Sequence, residues 1–250
     1  MAGHSHWARI KHQKGAADAK RGQLFSKLAK GIISAARHGG GDPDANLKLR
    51  YAIDKARASN MTRDSIERAI KRGTGELGGA AFEEILYEGY GKGGAAILVE
   101  VLTDNRHRSS PELKKIFERH GGHLGASGSV AWMFEKKALF TVKAGAVPEE
   151  RVYEAAIEAG AEDVTNSDGA FQVTGEPTSF PSIKAGLEKA KIPLELSEIG
   201  YRPKTTVPLD ASAARQVLAL MEELDNNEDV QNTHSNFDIP DSVMAEMEGA

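Results

Sequence analysis

The sequence predicts an α+β protein: an N-terminal three-helix bundle followed by two ferredoxin-like α+β domains, one inserted in the other. Three observations predict it. The first 75 residues place apolar side chains at helical spacing between glycine stops and capping residues. Beyond them, short apolar strands alternate with amphipathic helices. Residues 138–200 run strand, helix, strand, strand, helix, strand, which is the ferredoxin-like order.

The first helix is expected over residues 16–37. Leu24, Phe25, Leu28, Ile32 and Ala36 share one face, and Lys20, Lys27, Lys30 and Arg37 share the opposite one. Gly39-Gly40-Gly41 ends it. Asp42 then reads as an N-cap, with Pro43 at the first helical position of a second helix reaching residue 59. Thr62 caps a third helix carrying Ile66, Ala69 and Ile70, which Gly73 stops. Four glycines in residues 73–80 mark a linker.

Residues 95–102 form an apolar run broken only by Glu100, which is the signature of a buried strand. A helix at 110–120, opened by Ser110-Pro111, and a strand at 129–134 follow. Strand 139–142, helix 149–159, a hairpin of 162–165 with 170–174 around Asp168-Gly169, helix 179–190 and strand 194–199 complete the inserted ferredoxin-like unit. Strand 205–209, helix 211–224 and strand 230–237 return to the outer one. The expected domains are therefore 1–79, then 80–135 with 204–250, and the insertion 136–203.

Charge divides along the same boundary. Residues 1–75 hold 16 Lys/Arg and 6 Asp/Glu, a net of +10, and residues 76–250 hold 16 and 30, a net of −14. Such segregation concerns partners, and a cationic helical head fits a polyanion, foremost nucleic acid. The chain has no cysteine, which excludes disulfides, thiolate metal sites and cysteine nucleophiles. No window approaches the roughly 20 apolar residues of a membrane helix, and residues 1–15 carry no secretory apolar run. A cytoplasmic protein without a membrane partner is expected.

Several local motifs resemble one family across the whole chain. They are Ala2-Gly3-His4-Ser5-His6-Trp7, Ile10-Lys11-His12, Asp18-Ala19-Lys20-Arg21, Asn60-Met61 and Arg68-Ala69-Ile70-Lys71-Arg72-Gly73. Further along stand Tyr87-Glu88-Gly89-Tyr90-Gly91, Leu102-Thr103-Asp104-Asn105-Arg106, Gly128-Ser129-Val130 and Ser235-Asn236-Phe237-Asp238-Ile239-Pro240. In register, these resemble the YebC/PmpR family, which includes the mitochondrial translational activator of cytochrome c oxidase. The resemblance implies three domains and a regulator of gene expression. Bacterial members are described as probable DNA-binding transcriptional regulators. Other members look like ribosome-associated translation factors relieving stalling at proline-rich stretches. Departures are small: His6 replaces a usual Lys, Lys92 a common Pro, and Arg106-His107-Arg108-Ser109 a more usual Asn-Arg-Thr pattern.

The candidate nucleic-acid contacts are Trp7, Arg9, Lys11, Lys14, Lys20, Arg21, Lys27 and Lys30 in the head, with Arg106 and Arg108 after the buried strand. The cations would follow a phosphate backbone, and Trp7 would either stack on an unpaired base or close the bundle. The target is DNA or ribosomal RNA, with the ribosome itself as a second partner. The residues leave the choice open, because the third helix offers phosphate-binding arginines more than a base code.

Gly89-Tyr90-Gly91-Lys92-Gly93-Gly94 has the letters of a dinucleotide motif but precedes a strand, so it reads as a turn between strands. No Walker sequence and no catalytic constellation is present, and neither enzymatic activity, a small-molecule substrate nor a cofactor is expected. Glu83, Glu84 and Glu88 read as an exposed acidic edge, and Glu222, Glu223, Asp225, Glu228 and Asp229 as a solvated acidic turn. With Met1 removed, Ala2-Gly3-His4 would offer the nitrogen donors of an incidental Cu(II) or Ni(II) site, but no functional metal site is expected.

Overall fold

The computed structural model describes residues 18–78, 81–143, 145, 147–167 and 169–248. The head consists of α1 (Asp18–Gly39), α2 (Leu47–Ala58) and α3 (Arg63–Gly73). After it come β1 (Glu83–Tyr90), β2 (Ala96–Thr103), α4 (Arg106–Arg119), β3 (His123–Leu124), β4 (Phe134–Lys143), α5 (Glu149–Glu158), β5 (Asp163–Ser167) and β6 (Ala170–Gly175). The chain continues with α6 (Phe180–Lys189), β7 (Leu196–Pro203), β8 (Val207–Pro208), α7 (Ala211–Asn226), β9 (Val230–Ser235), β10 (Phe237–Asp238) and α8 (Asp241–Glu248).

The head closes on Leu28, Ile32, Ile33, Leu49, Ile53 and Ile66. Leu24 belongs to the expected stripe but is exposed. Phe25, one residue and about 100° further round the helix, packs on the core instead. The second helix begins later than Asp42-Pro43 suggests. Its N-cap is the buried Asn46, whose Oδ1 accepts from the Leu49 N–H at 3.1 Å. The Asn46 amide donates to the Ala35 and Gly40 carbonyls, both at 2.8 Å. One side chain thus caps the start of α2 and the end of α1, which aspartate cannot do because a carboxylate has no donor. Thr62 caps α3 as expected, accepting from the Ser65 N–H at 3.3 Å. Gly73 closes α3 through contact with a neighbour: a Cβ there would lie 2.6 Å from both the Ala36 Cβ and the Ile33 carbonyl oxygen of α1.

Two four-stranded antiparallel sheets form the body. One runs β3-β1-β2-β9 and the other β5-β6-β4-β7. The second has the ferredoxin-like order read from the sequence, with α5 and α6 closing over Phe140, Val173 and Ile183. In the first, β1 and β2 pair from Glu83 opposite Thr103 to Tyr90 opposite Ala96. The glycine-rich stretch between them is the expected turn, with Gly93 and Gly94 at positive φ. Both faces of β2 are buried. Ile97, Val99 and Val101 meet the layer of α4 and α7, and Ala96 and Leu98 meet Val130 and Phe134. That double burial is why its sequence is a continuous apolar run.

The strand set of this first sheet differs from the expected one. The strand that the glycine-rich turn implies before it spans residues 83–90, a range that periodicity does not mark because its apolar side chains are only half-buried and it ends in Glu-Gly-Tyr. The expected strand at 129–134 is instead a helical turn at Ala131–Met133 leading into the single long β4. The expected 205–209 shrinks to β8, which pairs in parallel with β10 outside the main sheet. Asn105, not Ser110, caps α4, its side chain accepting from the Arg108 N–H at 3.2 Å. Arg106 and Arg108 therefore stand on the first turn of a helix and not in a loop.

Candidate nucleic-acid interface

The head is fastened to one body unit by its own lysines and to the other by a tyrosine and an aspartate. On α1, the Lys27 ammonium donates to the Asp225 carbonyl at 2.5 Å. Three residues on, Lys30 donates to the Glu228 carbonyl at 3.0 Å and to Asp229 Oδ1 at 2.7 Å. Ser34 and Lys48 both donate to Glu84 on β1, at 2.9 and 2.5 Å. On α2, Tyr51 packs edge-on against Phe180 of the inserted unit with ring centroids 4.8 Å apart, and Asp54 pairs with Lys184 at 3.5 Å.

Asp229 is the centre of this attachment. It is 2% exposed. Besides Lys30 it accepts from Arg108 at 2.8 Å, Ser109 Oγ at 2.8 Å and Thr103 Oγ1 at 3.1 Å. Burial alone would raise its pKa; the bonds from Arg108, Lys30 and Ser109 outweigh that and lower it from 3.8 to about 2. The acidic turn is accordingly a receptor for two head lysines and a body arginine, with Asp229 buried at its centre and Glu228 left exposed.

The expected contact residues divide into four groups. Trp7, Arg9, Lys11 and Lys14 lie outside the described residues, as do His4, His6 and His12 and the side chain of Lys20. Arg21 is exposed near the start of α1. Lys27 and Lys30 are engaged by the acidic turn. Arg106 lies 3.6 Å from Glu83, and Arg108 bridges Asp104 and Asp229. Both arginines keep exposed surface, that of Arg108 being 47%.

Outside the attachment, the head presents other cations. Arg57 on α2 and Arg68, Lys71 and Arg72 on α3 are exposed and make no side-chain hydrogen bond among the described residues. Their signal in the sequence is the periodicity of α3, where Ile66 and Ala69 turn inward and the basic residues outward.

Glu88 also departs from the acidic-edge reading. It is buried and accepts from the N–H groups of Gly128, Val130 and Ala131 at 2.6, 2.7 and 2.7 Å. Burial raises its pKa, and these three bonds overcome that to hold it below the ordinary glutamate range. Glu88 is thus a structural clasp on the 128–131 turn. Glu84, tied to Lys48 and Ser34, is likewise part of the framework. Among the described residues no cluster of three His, Cys, Asp or Glu side chains could hold a metal ion. No helix among them is long and apolar enough to cross a membrane.

The chain is thus a multidomain α+β protein in which a cationic helical bundle is docked on a pair of α+β units. Comparison with known proteins gives that architecture a family. Residues 5–76 match the TACO1/YebC protein N-terminal domain, and residues 82–237 match the TACO1/YebC second and third domain. The chain belongs to the TACO1/YebC family. A protein of Rubrobacter xylanophilus named a probable transcriptional regulatory protein is 53% identical over 250 residues, covering 100% of both chains. One of Dictyoglomus turgidum with the same description is 51% identical over 245 residues, 98% of each chain. The crystal structure of a conserved hypothetical protein from Aquifex aeolicus superposes with a TM-score of 0.85 at 46% identity, covering 94% of this chain and 98% of that one.

Proposed function

We propose that this protein is a nucleic-acid-binding regulator of gene expression, of the transcriptional type its relatives' names describe, and that it acts without catalysis. The observation that carries this reading is the charge on the head that the fold does not neutralise. Arg57, Arg68, Lys71 and Arg72 remain exposed after Lys27 and Lys30 have docked. Cations on one rigid helix can follow a phosphate backbone, and the residues ahead of α1 add Arg9, Lys11 and Lys14 to the same end of the chain. The test is binding of duplex DNA and of RNA as a function of salt. With Arg68, Lys71 and Arg72 replaced by Gln, the slope of log affinity against log salt should lessen by about 2–3, at roughly 0.9 per duplex phosphate lost. An unaltered slope would refute the assignment to α3. Glu substitutions at Lys27 or Lys30 are unsuited to this test, since they would set a carboxylate against the Asp225 carbonyl or against Asp229.

A second reading, a ribosome- or RNA-associated translation factor, is favoured by the composition of α3. Its sequence RDSIERAIKRG contains no Asn or Gln, the amides that read adenine in a major groove. Charge and shape without a base code suit structured RNA. Co-sedimentation with ribosomes, and stalling at proline runs when the protein is absent, would decide for it.

A further inference from the structure

The most exposed large apolar side chain given by the described residues is Trp132, at 65%. It sits on the body, just before β4, where the surrounding sequence Val-Ala-Trp-Met-Phe suggests a core strand. Its exposure is not that of a loose side chain. The indole N–H donates to the Ser129 carbonyl at 3.1 Å, and the Tyr90 hydroxyl donates to the same oxygen at 2.9 Å. The turn supplying that carbonyl is held by the three N–H bonds to Glu88. Tyr90 in turn stacks on the exposed His123, with centroids 5.5 Å apart and planes 29° from parallel. Three rings are thereby linked through one carbonyl and the β1–β3 pairing.

Cations stand beside them. The Lys204 ammonium donates to the Trp132 carbonyl at 2.9 Å, and its backbone N–H to the Met133 carbonyl at 2.9 Å. Lys92, exposed in the β1–β2 turn, passes within 4.0 Å of where a Cβ on Gly121 would be, two residues before His123. With its only polar hydrogen already bonded, the indole offers a partner chiefly its π faces. A partner that supplies flat rings and negative charge together is a strand of unpaired nucleotides. RNA is the nucleic acid that regularly displays such bases, in loops and bulges.

We propose that Trp132, with Tyr90 and His123 behind it and Lys204 at its side, is a stacking platform for unpaired bases of RNA, a second contact separate from the cationic head. The platform rests on the nucleic-acid reading above and adds to it the single-stranded state of the target. Fixing the ring before binding lowers the ordering cost of each stacked base.

The test uses the full chain labelled with 5-fluorotryptophan, the Trp132 resonance being assigned by its loss in Trp132→Phe. A single-stranded RNA dodecamer should shift that resonance, and a DNA duplex of equal length should not. Trp132→Ala should weaken the RNA dodecamer about tenfold, as loss of one stacked base does. Its duplex affinity and melting temperature should hold. Lys204→Glu should also weaken the dodecamer. If the dodecamer binds and the resonance stays put, or if Trp132→Ala weakens duplex and single strand alike, the platform is overturned while the function stands. If neither nucleic acid binds at any salt, both are overturned.

Discussion

Asp229→Asn removes the charge on which the head attachment converges. In the wild type this carboxylate, 2% exposed, accepts from Lys30, Arg108, Ser109 and Thr103. A pKa lowered from 3.8 to about 2 corresponds to roughly 2 kcal/mol of stabilisation at 1.36 kcal/mol per unit. The half-exposed Arg108 is partly screened by water, which makes that figure an upper bound for its share. Because the folded value lies below the unfolded one, the contribution is complete above pH 3.8 and is lost as pH falls toward 2. The amide keeps the shape but leaves two cations without their counter-charge, so the loss at neutral pH should be about 2 kcal/mol. For a chain of this length that is a fall in Tm of about 4–8 °C. Thermal unfolding of both proteins from pH 7 to pH 2.5 reads it. The gap should be widest at neutral pH and close below pH 4, and hydrogen exchange along α1 should accelerate in the variant. An equal Tm at pH 7, or a gap that does not change with pH, would refute the placing of Asp229 at the centre of the attachment.

Two further outcomes follow from the head. Asn46→Ala should destabilise by about 2 kcal/mol in urea melts, since it removes one helix cap and leaves the Ala35 and Gly40 carbonyls without their donor. Asn46→Asp should recover little, because it restores only the cap. Gly73→Ala should cost about 1–3 kcal/mol, as the new methyl would meet the Ala36 Cβ and Ile33 carbonyl of α1 at 2.6 Å, and backbone cannot step aside. A fully stable variant would mean that α1 and α3 separate without penalty.

Periodicity made most of the fold legible. The apolar stripes of α1 and α3, the two-sided run of β2 and the strand–helix order of the inserted unit each come from a face that must be buried. What escaped was set by tertiary partners. Asn46 is one of several polar residues in the 42–46 stretch, and only the approach of α1 makes its amide the cap. Strand β1 hides a buried glutamate among half-buried side chains, and Glu88 is understandable only beside the three N–H groups of a turn 40 residues on. Pro111 suggested the start of α4, whereas the true cap, Asn105, lies six residues earlier. Trp132 carries no signal of its own: its neighbours are apolar, and nothing local distinguishes a tryptophan facing out from one facing in.

The candidate site was legible as charge but not as available charge. A split of +10 against −14 along one chain suits an external polyanion, and equally suits two parts of the molecule that bind each other. The structure shows the second of these. Lys27, Lys30 and Lys48 serve the joint between head and body, where their partners are the Asp225 and Glu228 carbonyls, Asp229 and Glu84. Arg57 of α2 and Arg68, Lys71 and Arg72 of α3 are exposed and serve no such joint. This division has a mechanical consequence. With α1 anchored to one α+β unit and α2 packed against the other through Tyr51 and Asp54, the head cannot swing without breaking contacts to both. On the proposed function, a charged helix on such a mount would meet its target at a fixed distance and angle from the Trp132 surface. Phosphate contacts and base stacking would then be read together, as one rigid measurement of the target's shape.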